Sequence, residues 1–279
     1  MFGVVPRVLW EKRNPPDKKN RIRLALRPLL IVSNKERIIV DTGVGRKYGA
    51  KFDEMFNLDD SDNLLDSLTR SGFHPDDITL VVQTHLHFDH CGWATKPDGK
   101  GGFEPTFKNA RYVIQSREWH DAVHPNRRTQ GSYRKDDFLA LERSGLLELV
   151  DGDAEIAPGV SVMRTGGHTR GHQIVTIQEK SEIRDQKPES RNPEDKYRSA
   201  AAVYWGDLIP TTSHIEVPYI MGYDTFPLDT AEQKERLVPK AADGRWLCFF
   251  EHEPEAAAGY IRRVEDRYVF EPYEVEDKK

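Results

Sequence analysis

Apolar residues in this chain fall into short runs separated by polar turns, a rhythm that predicts many strands and a few short helices. Residues 22–32 are apolar with interspersed arginines, residues 37–40 are β-branched after Arg37, and both read as strands. Asp41-Thr42-Gly43-Val44-Gly45 reads as the turn after the second of them. Leu64, Leu65 and Leu68 have helical spacing, which predicts a helix over 62–70 that stops at Ser71-Gly72. Residues 78–82 are a buried-strand candidate that runs straight into a polar cluster at 84–90.

Beyond that cluster, the glycine-rich residues 97–102 predict a loop, and residues 111–115 a strand. A short helix is expected over 116–123, with Ser116 as its N-cap and Glu118 in its first turn. A second helix is expected over 136–143, closed by Ser144-Gly145, and a third over 230–238. Further strands are expected at 146–150, 160–164, 174–177, 201–205, 246–250 and 267–270. Residues 181–199 are mostly charged, hold two prolines, and read as an exposed insertion between two strands. The alternation has no strict βαβ beat, no internal repeat and no clear linker. It predicts a mixed α/β (α+β) sandwich, not a doubly wound sheet, in a single domain over residues 1–279.

Composition changes this picture little. With 37% hydrophobic and 31% charged residues, a soluble globular class follows, and 279 residues suffice for a sizeable core. The formal net charge of -5 recruits neither nucleic acid nor an anionic membrane as a bulk property. Two cysteines, Cys91 and Cys248, make no disulfide framework and read as reduced thiols. Pro6 and Arg7 break the N-terminal apolar run, and no stretch is long and apolar enough to span a bilayer, so a cytoplasmic protein is expected.

The polar cluster is Thr84-His85-Leu86-His87-Phe88-Asp89-His90. In extended chain, residues two apart point the same way, so the imidazoles of His85 and His87 converge. A turn into a helix sends Asp89 and His90 to a second point nearby. Imidazole and carboxylate are the donors that suit zinc and related divalent ions. Three more strand ends carry the same residue types: Gly166-Gly167-His168-Thr169-Arg170-Gly171-His172, Trp205-Gly206-Asp207, and Phe249-Phe250-Glu251-His252-Glu253. Glycines let the first of these present a histidine from a tight turn.

On these motifs the chain resembles the metallo-β-lactamase superfamily, whose fold is a four-layer αββα sandwich. The resemblance implies that His85, His87 and His168 hold one metal ion, that Asp89, His90 and His252 hold a second, and that Asp207 bridges them. Zinc is the first expectation for both ions, with iron, manganese or cobalt as alternatives. The resemblance further implies a hydrolase whose nucleophile is a metal-bridging hydroxide, with Asp89 and Asp207 in catalytic roles. His172 is implied to be a supporting residue and Asp41 a structural turn near the site. Trp93 reads equally as pocket lining and as core. Family members usually have an opening strand before the part that matches residues 1–10, so a truncated start or a missing first strand is expected.

Within the superfamily the phrases around 84–92, 168–173, 206–210 and 250–254 look most like the branch of N-acyl-homoserine lactonases and methyl-parathion-hydrolase-like enzymes. That implies a small-molecule substrate, a lactone or related carboxylic ester, and a homodimer as the common assembly. Phosphotriester hydrolysis and a non-catalytic metal-binding role are the alternatives. One departure stands out. Lactonases of this branch place a tyrosine three residues after the bridging aspartate, where this chain has Pro210. His214, Tyr219 and Tyr223 are the candidate replacements.

Overall fold

The computed structural model describes residues 1–59, 61–178 and 200–274, so the expected insertion at 181–199 lies outside the described residues. The chain divides into two compact units, one of Pro28–Asp151 and one of Met1–Arg27 with Gly152–Lys279. Among the described residues no helix is long and apolar enough to cross a membrane.

The Pro28–Asp151 unit is built on a five-stranded sheet. Its strands are β1 (Leu29–Val32), β2 (Arg37–Val40), β3 (Leu80–Val82), β6 (Arg111–Gln115) and β7 (Leu147–Val150), in that order. A separate hairpin of β4 (Thr95–Pro97) and β5 (Phe103–Pro105) closes over the glycine-rich loop. β1 is antiparallel to β2, while β2, β3, β6 and β7 run parallel. Parallel strands are covered on both faces, so β3 and most of β2 and β6 are buried, unbroken apolar runs. Leu86, Phe107, Tyr112, Phe138 and Leu141 complete this unit's core. Because the strands are parallel, the segments after β2, β3 and β6 emerge at one edge of the sheet, bringing Asp41, the histidine cluster and Glu118 to it.

The other unit holds a seven-stranded sheet in the order β14, β13, β12, β11, β10, β9, β8. The strands are β8 (Ala154–Ala157), β9 (Val160–Arg164), β10 (Gln173–Gln178), β11 (Ala200–Tyr204), β12 (Leu247–Phe249), β13 (Ala258–Val264) and β14 (Arg267–Pro272). β10 is antiparallel to both β9 and β11, and β11 is parallel to β12. Thus β9, β11 and β12 point the same way, and the turns after them, which carry His168, Asp207 and His252, share one edge. The helix Pro227–Asp243 packs Leu237, Val238 and Ala241 into a core with Trp205, Trp246 and Phe250.

Several elements differ from the sequence reading for local reasons. Of residues 22–32 only Leu29–Val32 is a strand, since Pro28 has no N–H to donate to a ladder. The N-cap of the helix Ser116–Val123 is Gln115, and Ser116 is already helical. The expected helix over 136–143 breaks at Phe138 into a 3-10 turn, Lys135–Asp137, and the helix Leu139–Ser144. There the Asp137 carboxylate turns inward onto Lys47 at 3.0 Å and Tyr48 at 2.5 Å. The third helix is longer than 230–238 because Pro227, whose φ is pre-set, serves as its first residue. Both cysteines are buried, and burial raises their thiol pKa values, so neither is a reactive nucleophile.

Phe138 is fully buried and packs edge-on against Trp119 at 5.5 Å. Phe138→Ala should cost about 3–5 kcal/mol of unfolding free energy, read by urea titration; a loss below about 1 kcal/mol would mean that this core is not packed as described.

Candidate metal centre

In the Pro28–Asp151 unit the site is organised by Asp41. This residue sits just beyond β2 with φ 55°, and its carboxylate is wholly buried. One oxygen accepts the Thr84 N–H at 2.7 Å; the other accepts the Thr84 hydroxyl at 2.7 Å and lies 2.9 Å from Nδ1 of His90. Asp41 therefore both anchors the start of the histidine loop and orients its last imidazole. The backbone ties the same turn down, with Thr42 N–H donating to the His90 carbonyl at 2.5 Å and Gly92 N–H to Gly43 at 2.7 Å. At Gly92 a Cβ would lie 2.1 Å from Gly45 N, so only glycine allows this approach.

The expected convergence of imidazoles is present. The His85 ring lies 4.5 Å from that of His87 and 4.0 Å from that of His90, centroid to centroid. Ligand atoms of His85 and His87 come within 4.8 Å of one another, as do those of His85 and His90 and of Asp89 and His90. Asp89 and His90 lie on the one-turn helix Phe88–Cys91 at the end of the loop. Glu118 does more than face a helix dipole. It is buried, and one of its oxygens accepts both the Leu86 N–H and the Tyr133 hydroxyl at 3.0 Å, holding the chain between His85 and His87.

In the other unit a carboxylate faces two imidazoles. Asp207 Oδ2 lies 3.2 Å from Nε2 of His168, and Oδ1 lies 3.2 Å from Nε2 of His252. Each imidazole is held from behind. Nδ1 of His168 meets the buried carboxylate of Asp224 at 2.9 Å, and Asp224 in turn accepts the Thr230 hydroxyl at 2.6 Å. Nδ1 of His252 lies 2.9 Å from the Ala25 carbonyl, which can only accept. With Nδ1 engaged, Nε2 is the nitrogen that each ring turns toward Asp207, as a lone pair in the neutral imidazole and as an N–H in the imidazolium. In the neutral form these are the donor atoms that a divalent cation takes. Two ligands on one tetrahedral zinc stand about 3.4 Å apart, close to the separation seen here.

The backbone explains how these groups arrive. Gly166 and Gly167 have φ of 63° and 83°, and a Cβ on Gly167 would meet the Thr230 hydroxyl at 2.4 Å. The turn thus brings His168 onto the Asp224–Thr230 pair. His172 accepts the Asp207 N–H on Nε2 at 3.0 Å, and its Nδ1 lies 2.7 Å from the Thr165 hydroxyl. It supports Asp207 from the backbone side. Pro210, which departs from the tyrosine that the resemblance implies at this position, accepts the His252 N–H through its carbonyl at 3.0 Å.

The three candidate replacements for that tyrosine differ in setting. His214 is buried, with Nδ1 2.8 Å from the Thr211 hydroxyl, Nε2 3.3 Å from the Met1 carbonyl, and its ring stacked on Phe2 at 4.8 Å. Tyr219 is buried edge-on against the same Phe2, whereas Tyr223 is largely exposed. Trp93 is half-buried. The sequence pattern assigns no site role to Asp224, Glu118 or the Ala25 carbonyl. Only Asp224, in Gly222-Tyr223-Asp224 ahead of a proline-started helix, had a local signal.

Residues 28–182, more than half of the chain, match the metallo-beta-lactamase superfamily. The chain belongs to that superfamily. An N-acyl homoserine lactonase of Bacillus thuringiensis is 29% identical over 160 residues, 53% of this chain and 56% of the relative. The chain thus spans about half the length of the curated relatives it matches. A probable metal-dependent hydrolase from Staphylococcus aureus superposes with a TM-score of 0.82 at 29% identity, over 99% of this chain and 92% of its own. AidC, a dizinc quorum-quenching lactonase, superposes with a TM-score of 0.67 at 21% identity, over 90% and 80% of the two chains. The chain therefore has the metallo-β-lactamase fold.

Asp224→Ala should leave His168 without its carboxylate and weaken metal binding about 10–100-fold, measured by competition with a chromophoric chelator; unchanged affinity would remove Asp224 from the site. His214 yields a pH test. Burial, and secondarily Lys234, push its pKa down from 6.5 to about 3. The unfolded chain then binds more protons than the folded one between about pH 6.5 and 3, so this contribution to stability is full above that window and lost as pH falls through it. His214→Phe should flatten the acid-side fall in urea-unfolding free energy, and parallel pH curves for the two proteins would contradict the assignment.

Proposed function

We propose that this protein is a metal-dependent hydrolase that holds two divalent cations and acts on lactones or related carboxylic esters. In this reading His85, His87 and His168 hold one ion and Asp89, His90 and His252 the other, with Asp207 bridging. The observation that carries it is Asp207, whose two oxygens each stand 3.2 Å from Nε2 of a different imidazole. A carboxylate that served a single ion would not need to divide its oxygens between two imidazoles. Membership of the superfamily supports the seven-residue set, and the dizinc AidC and the Bacillus lactonase support the metal count and the substrate class. Zinc is the preferred ion because the donors are imidazole and carboxylate only.

Two cations bound there would lower the pKa of a water enough to supply a hydroxide nucleophile at neutral pH, and would polarise the scissile carbonyl. The protein's own contribution is positional. Asp41 and Asp224 fix the imidazole tautomers of His90 and His168, and the Ala25 carbonyl does so for His252. With the cations bound, Asp89 would orient the nucleophile by accepting its hydrogen bond, and Asp207 would be the carboxylate shared between the two positions. His172 keeps Asp207 in place by accepting its backbone N–H.

Zinc-loaded protein should hydrolyse N-acyl homoserine lactones and aryl esters, followed by pH-stat, with kcat/KM exceeding that for phosphotriesters. Asp207→Ala should lose at least about 100-fold of that activity, the scale typical of losing a group that stabilises the transition state directly. Preferential turnover of phosphotriesters would move the substrate class. Full activity in the Asp207→Ala protein would overturn the bridging role of Asp207, and absence of any hydrolysis by the zinc-loaded wild type would overturn the hydrolase reading itself.

A further inference from the structure

Residues 25–27 lie alongside the loop that carries His252, although they belong to no strand. The Ala25 N–H donates to the His252 carbonyl and the Arg27 N–H to the Glu251 carbonyl, both at 3.1 Å. The half-buried Arg27 guanidinium then reaches past His252. Its Nε donates to the Glu253 carbonyl at 2.7 Å and its Nη2 to the Pro254 carbonyl at 3.0 Å. The Arg27 carbonyl in turn receives the Tyr204 hydroxyl at 3.4 Å.

This clamp is selective. β12 has only three residues, so the sheet ends before His252 and cannot fix the imidazole. The Ala25 carbonyl at Nδ1 fixes it instead, and Ala25 is held in register by Arg27 two residues later. Glu253 closes the loop from the far side, accepting the Thr212 N–H at 2.9 Å and hydroxyl at 2.7 Å. His168, by contrast, is oriented by Asp224 and Thr230, and none of these Arg27 bonds reaches either residue.

We propose that Arg27 is a positioning residue for one of the two cations only, the one held by His252, and so sets the occupancy of that position independently of the other. The inference rests on the two-cation reading above. A planar fork with two parallel donors is what two successive carbonyls require; an ammonium supplies the charge without that geometry. Loss of Arg27 frees the Glu253–Pro254 turn, lets the Ala25 carbonyl drift from Nδ1, and unfixes the Nε2 lone pair.

The test uses the full chain titrated with cobalt(II) and zinc, with a chromophoric chelator as competitor. Wild type should bind two ions. Arg27→Ala should bind the first as wild type does, within about twofold, and the second about 10–100-fold more weakly, the range typical of lost support for a metal ligand. The cobalt absorption bands that it loses should be those lost by His252→Ala. Arg27→Lys, which guards against simple misfolding, should give the same split, and millimolar guanidinium should partly restore the second ion to Arg27→Ala. Equal weakening of both ions, or two ions bound as in wild type, would overturn the inference while leaving the two-cation reading intact. A wild-type chain that binds one ion or none would overturn that reading, and this one with it.

Discussion

A carboxylate that turns each of its oxygens toward a different imidazole is the constraint around which this structure is organised. Asp207 stands 3.2 Å from both His168 and His252, and the contacts that Asp224 and the Ala25 carbonyl make at Nδ1 turn Nε2 of each ring toward it. Imidazole nitrogens and carboxylate oxygens brought this close in a buried site are the donor types that a divalent cation takes. Much of the surrounding architecture holds that arrangement in place: glycines at 166 and 167, the His172 acceptor, the Asp224–Thr230 pair, and the Ala25 carbonyl.

The Pro28–Asp151 unit solves the same problem with different parts. A buried Asp41 at positive φ replaces the Asp224–Thr230 pair, and Glu118 holds the loop that has no ladder of its own. In both units the candidate ligands come from the turns after strands that run in one direction. This is the usual place for function in such sheets, where backbone groups at the strand ends are relieved of pairing and short loops can be shaped freely.

How much of this was legible in the sequence depends on the range of the interactions. The histidine cluster was readable because the ligands lie within six residues, and two-residue spacing constrains direction directly. Strands such as Arg37–Val40, Arg111–Gln115 and Val160–Arg164 were readable because each is a short apolar run bounded by polar turns. The helix Ala50–Phe56 and the strands Ala154–Ala157 and Ala258–Val264 were not, since lysine, glutamate, arginine and alanine there blur the period. The residues that orient the ligands were hidden for another reason. Asp224 acts 56 positions away from His168, and the Ala25 carbonyl 227 positions away from His252. A backbone carbonyl, moreover, leaves no trace in residue identity. Pro210 was noticed as a departure, but its role lies in its carbonyl, which any residue could supply.

The central claim is that Asp207 bridges two cations, and anomalous diffraction at the zinc edge from crystals grown with zinc tests it most directly. The account predicts two anomalous peaks per chain, one against the Asp207 oxygen that faces His168 and the other against the oxygen that faces His252. A single peak, or two peaks that share one oxygen and leave the other without a cation, would contradict it.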